Sequence, residues 1–290
     1  MNKNMADGLK ANNRLFKESY GPRINVAVLD TGIFRHRDFD NRIVAFKDFV
    51  NGKNVVYDDS GHGTHVSGII AGNGFSSRGK YRGIAPMAGI VSVKVLDERG
   101  NGKIEDVVNG IKWLLENKNR FSIRVVNVSF GSVKNLNKGS QQGYDVLVSG
   151  IDSLWDNGMV VVAAAGNNGP RPGTITIPGV SRKVITVGAF DDVKFKSGRG
   201  PTEECVNKPE ILVTGTNIVA CSNKQGQYTT KSGTSMAAPI VSGAVARLLY
   251  RNPGMTPGQV KLKIHDSAVF HKEYRHMCAW GVLNMAKFVR

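Results

Sequence analysis

Four polar residues stand where a folded chain could use them for chemistry. Asp30 directly follows the apolar run INVAVL and precedes Thr31-Gly32, so a carboxylate sits just before a turn that glycine permits. His62 lies in Gly61-His62-Gly63-Thr64-His65, immediately before the small, apolar segment 66–71. Ser235 lies in Ser232-Gly233-Thr234-Ser235-Met236-Ala237-Ala238-Pro239, at the entrance to the apolar segment 236–249. Asn167 follows VVVAAAG, with Gly169 close behind. Each has a plain structural reading: a turn aspartate, a packed histidine, a serine N-cap, a turn asparagine. Together they have a chemical one. A carboxylate orients an imidazole, the imidazole takes a proton from a serine hydroxyl, and an amide helps to hold the oxyanion that forms. The order Asp, His, Ser is one of the chain orders in which this triad occurs. His62 and His65 have three-residue spacing without the glutamate of a zinc-protease helix, and no third ligand is evident, so no metal is assigned to them. His65 is expected to pack behind the site.

These residues need elements to hold them. Short runs rich in Val and Ile at 24–29, 90–96, 125–129, 159–165 and 184–189 are mostly continuous, which is how strands covered on both faces read. Between them, 103–117 and 143–157 carry apolar residues at helical spacing, and further helices are expected to begin near His62 and Ser235. Strand, helix, strand in series predicts an α/β fold, a mainly parallel, doubly wound sheet flanked by helices, in a single domain. Function in such a sheet gathers on loops at the carboxyl ends of strands. Asp30 and Asn167 stand at such ends. The Asp-Thr-Gly turn after the first strand is not the GxGxxG turn of a dinucleotide-binding protein.

The 290 residues suffice for a large core, and their 41% apolar and 21% charged composition is globular. No apolar run reaches the roughly 18 residues of a membrane span. The first twenty residues lack the apolar centre of a secretory signal, so a cytoplasmic location, or secretion without a visible signal, is expected. Three sparse cysteines, Cys205, Cys221 and Cys278, suggest free buried thiols, not a disulfide framework or zinc site. The net charge of +16 favours acidic partners, but the basic residues are scattered and not interleaved with aromatics. No specific nucleic-acid binding is expected.

At this level of detail the chain resembles the subtilisin-like serine proteases, or subtilases. The resemblance is carried by VAVLDTGI at 26–33, GHGTHVSGIIAG at 61–72, VVNVSFG at 125–131, VVVAAAGNNGP at 160–170 and SGTSMAAPIVSGAVA at 232–246. It covers nearly everything after residue 23, so 24–290 is expected to be the catalytic domain and 1–23 a short extension. The stretch AGNGFSSRGKYRGIAP looks most like the compact intracellular-type bacterial subtilases, including the AprX-like group. The resemblance implies a serine endopeptidase with a seven-stranded, mainly parallel sheet. In it Ser235 is the nucleophile, His62 the general base and then acid, Asp30 its orienting partner and Asn167 an oxyanion donor. It further implies that Gly100, Asn101 and Gly102 on one side, and Ser129, Phe130 and Gly131 on the other, bind an extended polypeptide, with Ala165 and Gly166 beside them. A cis peptide is expected at Ile177-Pro178. No cofactor is required by this reading.

Three departures stand out. Lys208-Pro209-Glu210-Ile211 leads into Leu-Val-Thr-Gly instead of the frequent Ala-Pro-Gly. Residues 73–82 do not match the long calcium loop of secreted relatives. Calcium is therefore possible but without a clear site, and Asp38 is expected to be solvated or to cap a helix. Finally, only 23 residues precede Ile24, too few for an independent chaperone domain, so the enzyme folds unaided or a precursor segment was removed. Asp58, Asp59, Asp97, Glu98, Glu105 and Asp106 flank the expected cleft in sequence. They are open to two readings, a preference for a basic residue beside the cut or plain solvated carboxylates. A non-catalytic binding module on the same fold, and a processing enzyme for one acidic precursor, are the competing functions.

Overall fold

The computed structural model describes residues 24–131, 138–191 and 196–290. The expected extension 1–23 lies outside them. Strand β1 (Asn25–Asp30) is followed by β2 (Ile43–Asp48), helix α1 (His62–Ala71), β3 (Gly89–Lys94), α2 (Ile104–Asn117), β4 (Ile123–Val128), α3 (Lys138–Asp156), β5 (Val160–Ala164), β6 (Ile185–Ala189) and β7 (Ile211–Val213). The hairpin β8 (Ile218–Cys221) and β9 (Tyr228–Lys231) precedes α4 (Thr234–Arg251), α5 (Pro257–Ser267), β10 (Ala268–Val269), β11 (Gly281–Leu283) and α6 (Met285–Phe288).

The strands form a nine-stranded sheet in the order β10-β11-β7-β6-β5-β4-β1-β3-β2. All neighbours are parallel except β10 and β11. The α/β, doubly wound, mainly parallel architecture expected from sequence is therefore present. The sheet exceeds the expected seven strands because two short C-terminal strands extend it beyond β7. A separate two-stranded sheet holds β8 and β9.

The apolar runs divide between two cores, as period-two side chains must. Val26 and Val28 join Val66, Ile70, Val241 and Val245 on the face covered by α1 and α4. Ala27 and Leu29 join Val107, Ile111, Ile151 and Leu154 on the face covered by α2 and α3. Both faces of β1 are thus sealed, and its polar C-terminal residue, Asp30, emerges only at the carboxyl edge. Among the described residues no helix is long and apolar enough to cross a membrane.

The Ile177-Pro178 peptide is cis, as expected. The cysteines are all free, but only Cys221 is buried; Cys205 is exposed and Cys278 half-buried. The expectation of buried thiols holds for one residue of three, because Cys205 and Cys278 lie outside the main strands and helices.

Candidate active site

Parallel pairing brings Asp30 level with Lys94 at the end of β3, and Leu29 level with Val128 at the end of β4. The turn after β1 and the start of α1 then approach closely. A side-chain carbon on Gly63 would lie 2.2 Å from the Gly32 carbonyl oxygen, so only glycine fits there. That approach seats His62 Nδ1 2.7 Å from Asp30 Oδ1. Asp30 is fully buried, while the His62 side chain is 26% exposed. Asp30 Oδ1 also accepts from the Thr31 N–H, and its Oδ2 has no partner among the described residues. Burial lowers the imidazole pKa, but the charge and hydrogen bond of Asp30 outweigh it and raise His62 above its ordinary value.

Asp58 locks this frame. Its Oδ1 accepts from the Thr31 hydroxyl at 2.8 Å and from the N–H groups of Ser60 and Gly61. Its Oδ2 accepts from the Thr64 N–H and hydroxyl. An anion at a helix start is stabilised by just such unpaired donors. Asp59 pairs at 2.8 Å with the fully buried Lys94, whose ammonium also donates to the Thr31 and Leu96 carbonyls. Asp97 accepts from the Arg99 and Asn101 N–H groups. Asp58 is therefore a buried structural carboxylate, not a solvated one, and Asp59 and Asp97 already have partners within the chain. The sequence signal for Asp58 was its place four residues before His62, as an acidic residue preceding a helix.

His65 is buried behind the site, as expected. Its Nε2 lies 3.1 Å from the carbonyls of both Ile218 and Thr229, one on each strand of the β8–β9 hairpin. Burial pushes its pKa down to about 4, so it is neutral. The hairpin therefore rests on α1, and β9 leads directly into the turn before α4.

Ser235 is the second residue of α4 and is half-buried. The helix begins after Gly233, at φ 129°, where only glycine is comfortable. Asn167 Oδ1 accepts from both the Thr234 N–H at 3.0 Å and the Thr234 hydroxyl at 3.1 Å. With its oxygen occupied, the asparagine amide keeps its Nδ2 hydrogens as donors. The Met236 N–H is taken by the Gly233 carbonyl. The Ser235 N–H belongs to the first turn, where helix amides lack intrahelical partners. The structure thus joins Asp30 to His62 and Asn167 to the residue beside Ser235. Among the described residues no hydrogen bond links Ser235 to His62.

The expected binding edges lie at the same side of the sheet. Gly100, Asn101 and Gly102 are exposed, in a turn held by the Asp97 N–H on the Asn101 carbonyl. Ser129 is buried, Phe130 half-buried and Gly131 exposed. Ala165 is buried and pairs with Val187 and Thr176; Gly166 donates to the Thr234 hydroxyl at 3.1 Å. Sequence reasoning missed Thr176. Its side chain fills the space beside both Gly131 and Gly166, at 2.1 and 2.5 Å from where their side-chain carbons would be. Its buried hydroxyl has no partner among the described residues. No motif marks it, because the proximity arises only in the fold.

Asp38 departs from expectation. It is neither solvated nor an N-cap: it is fully buried in a short 3-10 turn that His36 caps. Its carboxylate accepts from the Ser76 N–H at 3.0 Å and the Tyr228 hydroxyl at 2.7 Å.

A model of the Subtilase family, peptidase S8, matches residues 21–281. Serine protease AprX of Bacillus subtilis (strain 168) is 42% identical over 267 residues, covering 83% of this chain and 60% of that protein. Subtilisin DY of Bacillus licheniformis is 32% identical over 250 residues, covering 86% and 84%. Among solved structures, a cold adapted subtilisin-like serine proteinase superposes with TM-score 0.73 at 29% identity, covering 94% of this chain and 91% of its own. The S41 psychrophilic protease gives 0.77 at 28% identity, covering 95% and 96%. This chain spans about 60% of the length of AprX. With a family model over most of its length and these identities behind it, the chain belongs to the subtilase family.

Proposed function

We propose that the protein is a serine endopeptidase that hydrolyses extended polypeptides through an acyl-enzyme. The observation that carries this reading is the 2.7 Å contact of buried Asp30 with half-open His62, on the sheet edge where Asn167 anchors the first turn of the Ser235 helix. In the first half-reaction His62 Nε2 takes the Ser235 hydroxyl proton as Oγ attacks the scissile carbonyl carbon. The oxyanion is held by the Asn167 Nδ2 and Ser235 N–H donors. His62, now imidazolium and stabilised by Asp30, gives its proton to the leaving amine nitrogen, and the C–N bond breaks. Water then repeats the sequence on the ester, restoring Ser235. Substrate backbone pairs as an added strand against residues 100–102 and 129–131. Thr176, between Gly131 and Gly166, limits the size of the side chain accepted there. No step requires a metal or cofactor. The names of the relatives, serine protease and subtilisin, support the same reaction.

Labelling with a serine-directed fluorophosphonate, wild type against Ser235→Ala, tests this, with casein cleavage in parallel. Labelling and cleavage that both vanish in the variant are expected. A folded wild type that neither labels nor cleaves would leave a binding module on a protease fold.

A further inference from the structure

A second cluster of ionisable groups lies outside the catalytic set. His36, Asp38 and Cys221 are 2%, 0% and 1% exposed, and one ligand-type atom from each falls within 4.8 Å of the others. His36 Nδ1 is 3.5 Å from Asp38 Oδ1, and Cys221 Sγ is 3.7 Å from Asp38 Oδ2. Nitrogen, oxygen and sulfur atoms bound to one tetrahedral zinc at about 2.0–2.3 Å lie roughly 3.3–3.8 Å apart. We propose that His36, Asp38 and Cys221 form a binding site for one zinc-class divalent cation.

The surroundings suit that assignment. His36 Nδ1 accepts the Asp38 N–H at 3.1 Å, so this nitrogen carries the lone pair, and an ion bound there takes the place of that hydrogen bond. The other ring nitrogen therefore donates, to the Gln227 carbonyl at 3.0 Å. A carbonyl holding the remote N–H of a histidine is the outer arrangement that metal-bound imidazoles use. Ligand type decides the ion. Calcium and magnesium take oxygen, whereas an imidazole, a thiolate and a carboxylate suit zinc and its neighbours. One thiolate and one carboxylate balance the charge of a divalent ion. Without an ion, burial beside Asp38 holds the Cys221 thiol well above its ordinary pKa, and it donates to Asp38. On binding, the S–H bond is replaced by a metal–sulfur bond and the proton leaves to solvent. The nearby Arg42 guanidinium, which donates to the Asp38 carbonyl, favours that thiolate. His36 also stands beside a surface cavity of about 320 Å³ that Arg35, Arg37, Asp40, Asn41 and Phe75 line, although its own side chain is fully buried.

Position gives the site a consequence. It joins the segment just after β1, which bears Asp30, to the end of β8, whose hairpin rests on His65 and feeds into Ser235. An ion there clamps the two halves of the catalytic frame from behind.

The test uses the full chain, freed of metal with a chelator, in a Cys205→Ser, Cys278→Ser background. Cobalt(II) is titrated as probe, with zinc as competitor and calcium as a separate arm. One equivalent of cobalt, a thiolate-to-cobalt charge-transfer band, its displacement by zinc and a zinc-dependent rise in Tm are expected. Cys221→Ser should abolish the band, and His36→Gln should weaken binding by more than the roughly 10–100-fold that loss of an outer partner costs. Fluorophosphonate labelling of both variants verifies that they fold. The proposal is overturned if the wild type binds neither ion stoichiometrically, if the band survives Cys221→Ser, or if calcium alone binds.

Discussion

Two polar side-chain pairs stand at opposite edges of the same sheet. At the carboxyl edge Asp30 meets His62. At the amino edge, just before β6 and β7, the Lys208 ammonium lies 2.6 Å from Glu210 Oε1 and also donates to the Val184 carbonyl and the Thr186 hydroxyl. Lys261 adds a second ammonium 2.8 Å from Glu210 Oε1, and Glu210 Oε2 accepts the Thr186 N–H. Burial lowers the Lys208 pKa to about 8 in spite of the Glu210 charge. Every valence of that pair is answered within the protein. The Asp30–His62 pair is left open: Asp30 Oδ2 has no partner among the described residues, and the imidazole reaches solvent. Closed polar networks fix a structure, whereas an open one keeps capacity for a proton in transit.

That contrast can be broken by substitution. The largest effect is expected at the open pair. His62→Ala should cut kcat about 10⁶-fold, a scale that comes from the triad histidine of a subtilisin and is therefore borrowed from this family, while Tm changes little. Asn167→Ala should cost about 10²–10³ in kcat with KM nearly unchanged, a figure that comes from the same donor in a subtilisin and is therefore borrowed from this family. The closed pair should respond the other way round. Glu210→Gln strands the Lys208 ammonium and should cost about 3–5 kcal/mol in denaturant unfolding, with kcat per folded molecule unchanged. Equal losses of activity and stability at both pairs would erase the distinction.

The pH profile sharpens it further. In the proposed mechanism His62 must be neutral to act as base, and its folded pKa is raised, so kcat/KM should fall with acid through a midpoint above 6.5. In Asp30→Asn the raising cause is gone and burial remains, so the midpoint of the residual activity should drop. Linkage runs oppositely. The raised pKa contributes stability that is fully present below pH 6.5 and is lost as pH climbs through the folded value. The site is therefore best held together where it is least active. The smallest expected effect is at Thr176. Thr176→Ala should leave cleavage after small residues unchanged and raise kcat/KM for larger ones, read by profiling a peptide library.

The open pair and Ser235 were legible in the sequence because each of the three sits inside a local motif: Asp-Thr-Gly, Gly-His-Gly, Gly-Thr-Ser. Local glycine spacing survives as a signal. The strands β1, β3, β4, β5 and β6 were legible for a related reason, since burial on both faces leaves an uninterrupted apolar run. Helix α5 was missed although Thr256-Pro257-Gly258-Gln259 spells a capping box with proline at the first position, and both halves of that box form. Strand β2 was missed because it is an edge strand and only half-buried. The cluster of His36, Asp38 and Cys221 left no trace, since the Cys221–Asp38 contact spans 183 residues and obeys no spacing rule. Thr176 was hidden in the same way.

The β8–β9 hairpin also sets a timetable. The bonds that tie it to His65 bridge 153 and 164 residues, so they close only after most of the chain exists. Contacts of such sequence separation form late and slowly. Asp30 and His62 leave the ribosome long before Ser235 does, and domains complete themselves only as their last elements arrive. In the proposed reaction, a half-made chain consequently holds the Asp30–His62 pair with no Ser235 beside it, so cleavage waits for the completed fold.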